Sequence, residues 1–357
     1  VHHHGISPAV RLFTKVRKVS FFRMDPPRPT AAGAATTDVT DTFDLKELMS
    51  ACIHLARRGG QIIAEEHANG RLDAHNKKVS GDTRSVAEMA ANEVLTVADG
   101  RAQDAIITGL RGMFPGLRIV GEEGDVPGEE PALLFADVPP LGHPFDVPPP
   151  LAASLTAADV CLWVDPLDGT KEFVMGNLAS VSVLIGVALR DRPVAGVILQ
   201  PFVGGAGGEV TYGAVGVGVF RDGVAVGAGA GPVVVEDVAY APHAGTGGHD
   251  PVEQVVGVGG PPDTVVAMSG RHADDGGRLA VALGRIDPAP RVLPLNACGN
   301  KMLRVIRGEA SAHLQGPGAS RWDTCAGEAL LLALGGVVTS LDGVPYQYTQ
   351  DACYDNA

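Results

Sequence analysis

The sequence has no CxxC pair. Its five cysteines, Cys52, Cys161, Cys298, Cys325 and Cys353, are scattered and odd in number. This spacing speaks against a disulfide framework and fits a reducing compartment. No apolar run approaches the ~18 residues that a membrane-crossing helix needs. Positive charge is also scarce. With 28 Lys and Arg against 41 Asp and Glu, the net charge is −13. Such a surface argues against nucleic-acid backbones and anionic membranes as partners. A phosphorylated small molecule stays compatible, provided metal ions neutralise its site locally. There is no GxxxxGK[ST] loop, which excludes P-loop phosphate binding.

The 357 residues, 45% apolar and 19% charged, are those of a globular protein with ample core and room for two domains. Residues 1–24 carry Arg11, Lys15, Arg17, Lys18 and Arg23 and no acid. They read either as an organellar transit peptide or as leading sequence ahead of Met24. The first reading implies a mitochondrion or plastid, the second a cytoplasmic protein. Residues 25–42, rich in Pro, Ala and Thr, read as a disordered lead. An N-terminal α+β domain is expected over 43–202 and a C-terminal α/β domain over 203–357.

Apolar spacing predicts a helix from Phe43 to about His67, capped by Asp41 or Thr42, and another from Gly100 to Arg111. The polar stretch 69–92 between them reads as a loop. Leu117 to Val120 reads as a short strand, followed by a proline-rich insert over 125–158. Val181 to Leu189 and Val194 to Leu199 flank Arg190-Asp191-Arg192-Pro193, the pattern of a hairpin. Gly204 to Gly231 reads as short strands with tight turns. Then strands at Thr264 to Met268, Ala310 to Leu314 and Val344 to Tyr348 alternate with helices at Asp274 to Leu283, Asn300 to Gly308 and Thr324 to Leu334, an α/β pattern.

The chemistry centres on Trp163-Val164-Asp165-Pro166-Leu167-Asp168-Gly169-Thr170-Lys171-Glu172-Phe173. The apolar lead-in from Val160 reads as a buried strand that Asp165-Pro166 stops, because proline cannot donate to a ladder. Two carboxylates three residues apart then sit beside a helix start, a combination suited to hard cations and an anion. Asp, Pro and Gly are also the commonest turn formers, so the stretch alone leaves a plain turn open. Other acids stand where strand or loop meets helix: Asp99, Glu122 and Asp323. Asp99 and Asp323, each taken singly, read as helix N-caps, and only together do the acids point to a site. The two-residue gap between Asp165 and Asp168 disfavours an aspartyl-phosphate mechanism, which places its two acids one residue apart.

Leu95-Thr96-Val97-Ala98-Asp99, Ile119-Val120-Gly121-Glu122-Glu123, the central stretch and Trp322-Asp323-Thr324-Cys325-Ala326 together resemble the inositol monophosphatase superfamily of magnesium-dependent, lithium-sensitive phosphatases. The resemblance runs from about residue 45 to residue 350. Within it the chain is most similar to the 3′(2′),5′-bisphosphate nucleotidases, which remove the 3′-phosphate of 3′-phosphoadenosine 5′-phosphate. Thr170-Lys171-Glu172-Phe173, Met268 to His272, Gly299-Asn300-Lys301 and Gly316-Pro317-Gly318 with Arg321 to Gly327 carry that closer likeness, as does the long insert after Glu123.

The resemblance implies a layered α-β-α-β-α sandwich with the site between its halves, and two to three Mg²⁺ ions. Glu122, Asp165, the Leu167 carbonyl and the Thr170 hydroxyl are expected at the first ion, and Asp165, Asp168 and Asp323 at the second. Glu122 is also expected to help a third. A Thr170–Asp99 dyad is expected to activate the attacking water, with Asp82 and Glu93 as runners-up to Asp99. The N–H groups of Gly169 and Thr170 are expected to bind the scissile phosphate, and Ser269, His272 and Lys301 the nucleoside end. His272 as an exposed loop histidine and Lys301 as a surface lysine are the alternatives. A basic residue near Asp99 falls to Lys77 or Lys78. Family members usually continue beyond the Val344 to Tyr348 stretch through a further strand and helix. Two other activities remain open: inositol phosphate hydrolysis, and a metal- or nucleotide-binding regulator that kept the fold without turnover.

Overall fold

Helix α1 (Leu45–Ala68) starts two residues later than expected: Thr42–Phe43 is extended, and the cap is Asp44, whose side chain accepts from the Lys46 N–H at 2.7 Å. It buries Leu48, Met49, Cys52, Leu55, Ala56, Ile62 and Ile63, a stripe at helical spacing. Helix α2 (Val97–Met113) packs beside it. The computed structural model describes residues 42–70, 75–76, 94–124, 138–142, 145–148, 151, 155–226, 264–269, 278–284, 286, 288–316, 319–340 and 343–349. Asp82, Glu93, Lys77, Lys78, His272 and nearly all of the expected lead lie outside them.

Seven strands form the main sheet: β1 (Arg118–Gly121), β2 (Val160–Asp168), β3 (Ser182–Leu189), β4 (Arg192–Gln200), β5 (Glu209–Ala214), β6 (Gly218–Arg221) and β7 (Val224–Val226). Their order across the sheet is β7-β6-β5-β4-β3-β2-β1. Every pair is antiparallel except β1 with β2, which run parallel with Gly121 opposite Val164. The expected hairpin is β3–β4. The division expected after residue 202 falls inside this sheet, between β4 and β5.

Pro166 does not stop β2. The strand continues through a bulge in which Asp165 pairs with Leu184 and Asp168 with Ser182, so Pro166 and Leu167 together oppose Val183 alone. A bulge leaves a residue without a ladder bond, so the missing proline N–H costs nothing there. The bulge also aims Asp165 and Asp168 from one strand end.

The second sheet has three parallel strands in the order β9-β8-β10, made of β8 (Val265–Met268), β9 (Arg291–Pro294) and β10 (Ala312–His313). Helices α4 (Arg278–Gly284), α5 (Cys298–Ile306) and α6 (Arg321–Ala333) accompany it, with α3 (Thr170–Val174) following β2. One face of the main sheet packs on α1 and α2, through Leu162, Val164, Val183, Ile185, Val197 and Leu199. The opposite face, with Leu184 and Ile198, packs on Met302 and Leu303 of α5 and Ala326 and Leu330 of α6. Helix α5 in turn touches β8 and β10, and Leu279 of α4 packs on Val266 and Met268. This is the α-β-α-β-α layering. Val344 to Tyr348 forms no strand. Its Tyr348 N–H instead makes a single bond to the Asp191 carbonyl at 3.1 Å, and its ring is fully buried against Trp163.

Candidate metal centre and active site

The bulged end of β2 and the first turn of α6 bring Asp165, Asp168 and Asp323 together. One carboxylate oxygen from each lies within 4.8 Å of the other two. Asp165 Oδ1 accepts from the Leu167 N–H at 3.0 Å, a local turn that holds its carboxylate upright. Asp168 is held both from the start of α5 and from the neighbouring strand β3. Its Oδ1 accepts from the Cys298 N–H at 2.9 Å, and its Oδ2 from the Gly299 N–H and the Ser182 hydroxyl, both at 2.8 Å. The N-terminus of α5, with its partial positive charge, therefore rests on Asp168.

Three carboxylates this close, two buried and one half-buried, repel one another. Burial, then the charges of Glu122, Asp323 and Asp168, push the Asp165 carboxyl well above the ordinary range. Burial, then Glu122 and Asp168, lifts Asp323 to about 8. Burial also raises Asp168, although its hydrogen bonds to Ser182, Cys298 and Gly299 and the Lys301 charge oppose this. Such a group relaxes by taking up protons or by taking up a cation. Oxygen donors of this kind suit a hard divalent ion, so the residues present fit a metal site.

Glu122 follows β1, and its N–H donates to the Val164 carbonyl at 3.0 Å. The parallel β1–β2 pairing thus sets Glu122 beside Asp165, whose carboxyl it hydrogen-bonds. Asp99 and Asp323 are not N-caps. Each is the third residue of its helix, and its carboxylate accepts from the backbone of the true cap, Thr96 for α2 and Ser320 for α6. For Asp99 that bond from the Thr96 N–H measures 2.9 Å, and the Thr96 hydroxyl binds the same oxygen, Oδ2. Its other oxygen, Oδ1, faces Thr170.

Thr170 opens α3 directly after Gly169, which has φ of 88°, a backbone conformation that side-chain-bearing residues rarely adopt. That turn sets the Thr170 hydroxyl 3.0 Å from Asp99 Oδ1 and 3.0 Å from the Leu167 carbonyl. Asp99 is fully buried. Burial raises its carboxyl to about 7, against the lowering effect of the Thr96 bonds and with smaller upward pushes from Glu123 and Glu122. A base poised near neutrality is thus hydrogen-bonded to a hydroxyl at the rim of the acid cluster.

Of the residues expected at the nucleoside end, Ser269 directly follows β8 and its hydroxyl donates to Asn296 Oδ1 at 3.3 Å. Lys301 is not a surface lysine. It is 4% exposed on α5, and its charge reaches both Asp168 and His313. Burial, reinforced by that lysine, lowers His313 to about 3. The site also contains groups that sequence reasoning passed over: Ser182, the Cys298 and Gly299 N–H groups, Thr96, Ser320 and Gln103. The Thr96-x-x-Asp99 and Ser320-x-x-Asp323 spacings were the readable signal, since both are capping boxes. The contacts of Ser182, Cys298 and Gly299 with Asp168 are long-range and leave no local pattern.

The inositol monophosphatase family model matches residues 44–355. The chain belongs to that family, whose phosphatases are metal-dependent. Among curated relatives, the human 3′(2′),5′-bisphosphate nucleotidase 1 is 31% identical over 316 residues, covering 88% of this chain and 89% of the relative. The Dictyostelium discoideum protein of the same name is 29% identical over 321 residues, 88% of this chain and 91% of its own. Among solved structures, CysQ from Bacteroides thetaiotaomicron, a bacterial member of the family, aligns with a TM-score of 0.54 at 21% identity, covering 87% of this chain and 95% of that one. That likeness speaks to the fold. Among the described residues no helix is long and apolar enough to cross a membrane.

Proposed function

We propose that this chain is a Mg²⁺-dependent phosphatase that hydrolyses 3′-phosphoadenosine 5′-phosphate to AMP and phosphate. One observation carries the reading: Asp165, Asp168 and Asp323 converge within 4.8 Å beside the Thr170–Asp99 hydrogen bond. The substrate follows from the relatives named bisphosphate nucleotidase, which span nearly all of the chain.

In this reading Glu122, Asp165, the Leu167 carbonyl and the Thr170 hydroxyl hold one ion. Asp165, Asp168 and Asp323 hold a second, and Glu122 helps a third. Bound Mg²⁺ supplies charge neutralisation at the phosphate and lowers the pKa of an attacking water. The chain's own groups do the rest. The Thr170 oxygen accepts a hydrogen bond from the water while its proton is donated to Asp99, so the water's lone pair is aimed at phosphorus. As the new P–O bond forms and the bond to the 3′-oxygen breaks, Asp99 takes the water's proton through Thr170, and the leaving 3′-oxygen takes a proton from solvent water to become the ribose hydroxyl. Asp99 suits that part because its carboxyl sits near neutrality, at about 7. The Gly169 and Thr170 N–H groups bind the phosphate, and Ser269, His272 and Lys301 contact the nucleoside 5′-phosphate and ribose. A single panel tests the reading: phosphate release from 3′-phosphoadenosine 5′-phosphate, inositol 1,4-bisphosphate and inositol 1-phosphate, with Mg²⁺ and with chelator. Fastest Mg²⁺-dependent turnover of the nucleotide is expected. A preference for either inositol phosphate refutes the substrate assignment, and no turnover of any of the three favours a silent regulator.

A further inference from the structure

Helix α2 presents two fully buried polar side chains one turn apart, Asp99 and Gln103. Asp99 serves Thr170. Gln103 reaches the turn that follows β1. Its Oε1 accepts from the Glu123 N–H at 2.9 Å, and its Nε2 donates to the Gly124 carbonyl at 2.8 Å. Both ends of one amide are thus spent on the two residues immediately after Glu122. On its other side Glu122 is tied to β2 through the Val164 carbonyl at 3.0 Å. The backbone around Glu122 is therefore held from two elements at once, α2 and β2.

Gly121 gives an independent sign that this clamp is built in. A Cβ at that position would collide with the Gln103 amide and come within 3.0 Å of Ile107 Cδ1. Gly121 is absent from the positive-φ residues, so its backbone does not itself require glycine. The space is needed by the glutamine. We infer that Gln103 is a positioning residue that sets Glu122 against Asp165 for metal binding, an inference resting on the ligand reading above. Without its amide, the Glu123 N–H and Gly124 carbonyl turn to water and the loop that carries Glu122 loosens. The Thr170–Asp99 pair is untouched. Groups that orient metal ligands typically alter affinity by about 10- to 100-fold when removed.

The test compares Gln103→Met, which keeps the side-chain volume, with Gly121→Ala and with Glu122→Gln. Mg²⁺ is titrated calorimetrically into the metal-free proteins, and turnover is followed against Mg²⁺ concentration. Gln103→Met and Gly121→Ala should each weaken Mg²⁺ binding about tenfold, and kcat at saturating Mg²⁺ should stay within about threefold of wild type. Packing alone predicts that Met restores affinity, so wild-type Mg²⁺ affinity in Gln103→Met overturns the inference. So does a kcat that collapses even at saturating metal. A weakened Glu122→Gln beside an unchanged Gln103→Met removes the inference alone, whereas an unchanged Glu122→Gln removes the ligand reading and the inference with it.

Discussion

Replacing Asp323 by Asn should stabilise the metal-free protein while abolishing its turnover. In the metal-free fold Asp323 is raised to about 8 by burial and by its neighbours Glu122 and Asp168. An unfolded aspartate titrates near 4. A carboxyl with its folded value above its unfolded one costs stability as pH rises between the two, and costs nothing below both. At pH 8 the full span is at most about 5 kcal/mol at ~1.4 kcal/mol for each unit of pKa. Asp323 keeps partial access to solvent and shares its protons with Asp165, which together bring the cost to about 1–3 kcal/mol. Asn keeps an oxygen for the Ser320 N–H, so the first turn of α6 remains satisfied. Thermal melts in chelator should then place the variant several degrees above wild type at pH 8, with the gap closing toward pH 4. Added Mg²⁺ should raise the wild-type melting temperature far more than the variant's. A variant melting below wild type at pH 8, by the same margin at every pH, would refute the repulsion argument.

Further outcomes follow from the same geometry. Thr170→Ala should lower kcat by about 10²- to 10⁴-fold while leaving the half-saturating Mg²⁺ concentration nearly unchanged, because it removes the proton path and only one of several ligands. An unchanged kcat excludes the dyad. Turnover should rise with pH along an acid limb centred at or below 7, since Asp99 sits at about 7 before bound cations draw it down. Asp99→Asn should abolish that limb along with most of the rate. The two tryptophans, Trp163 and Trp322, stand two residues before Asp165 and one before Asp323, so Mg²⁺ binding should change intrinsic fluorescence in wild type and not in Asp165→Asn.

Where local pattern and tertiary demand coincide, the elements are readable from residues alone. The apolar stripe of α1 and the hairpin at Arg190 to Pro193 are of this kind, and so is the long apolar run of α6. The acid motifs were legible because each is compact: Asp165 to Thr170 occupies one strand end, and Trp322-Asp323 one helix start. What escaped depends on contacts distant along the chain. Pro166 reads as a strand terminator, yet pairing with β3 accommodates it in a bulge. Asp99 and Asp323 read as caps because the real caps, Thr96 and Ser320, lie three residues upstream and complete the boxes. The joining of β5, β6 and β7 to the main sheet is a matter of strand order, which local periodicity does not carry. Gln103 looked like any polar helix residue until the turn it holds was placed against it.

Crystals grown with Mn²⁺ in place of Mg²⁺, measured for anomalous scattering, address the metal site itself. The account predicts strong peaks within direct coordination distance of the Asp165, Asp168 and Asp323 carboxylates, one of them shared with Glu122. Peaks elsewhere on the molecule, or none among these four side chains, would contradict it.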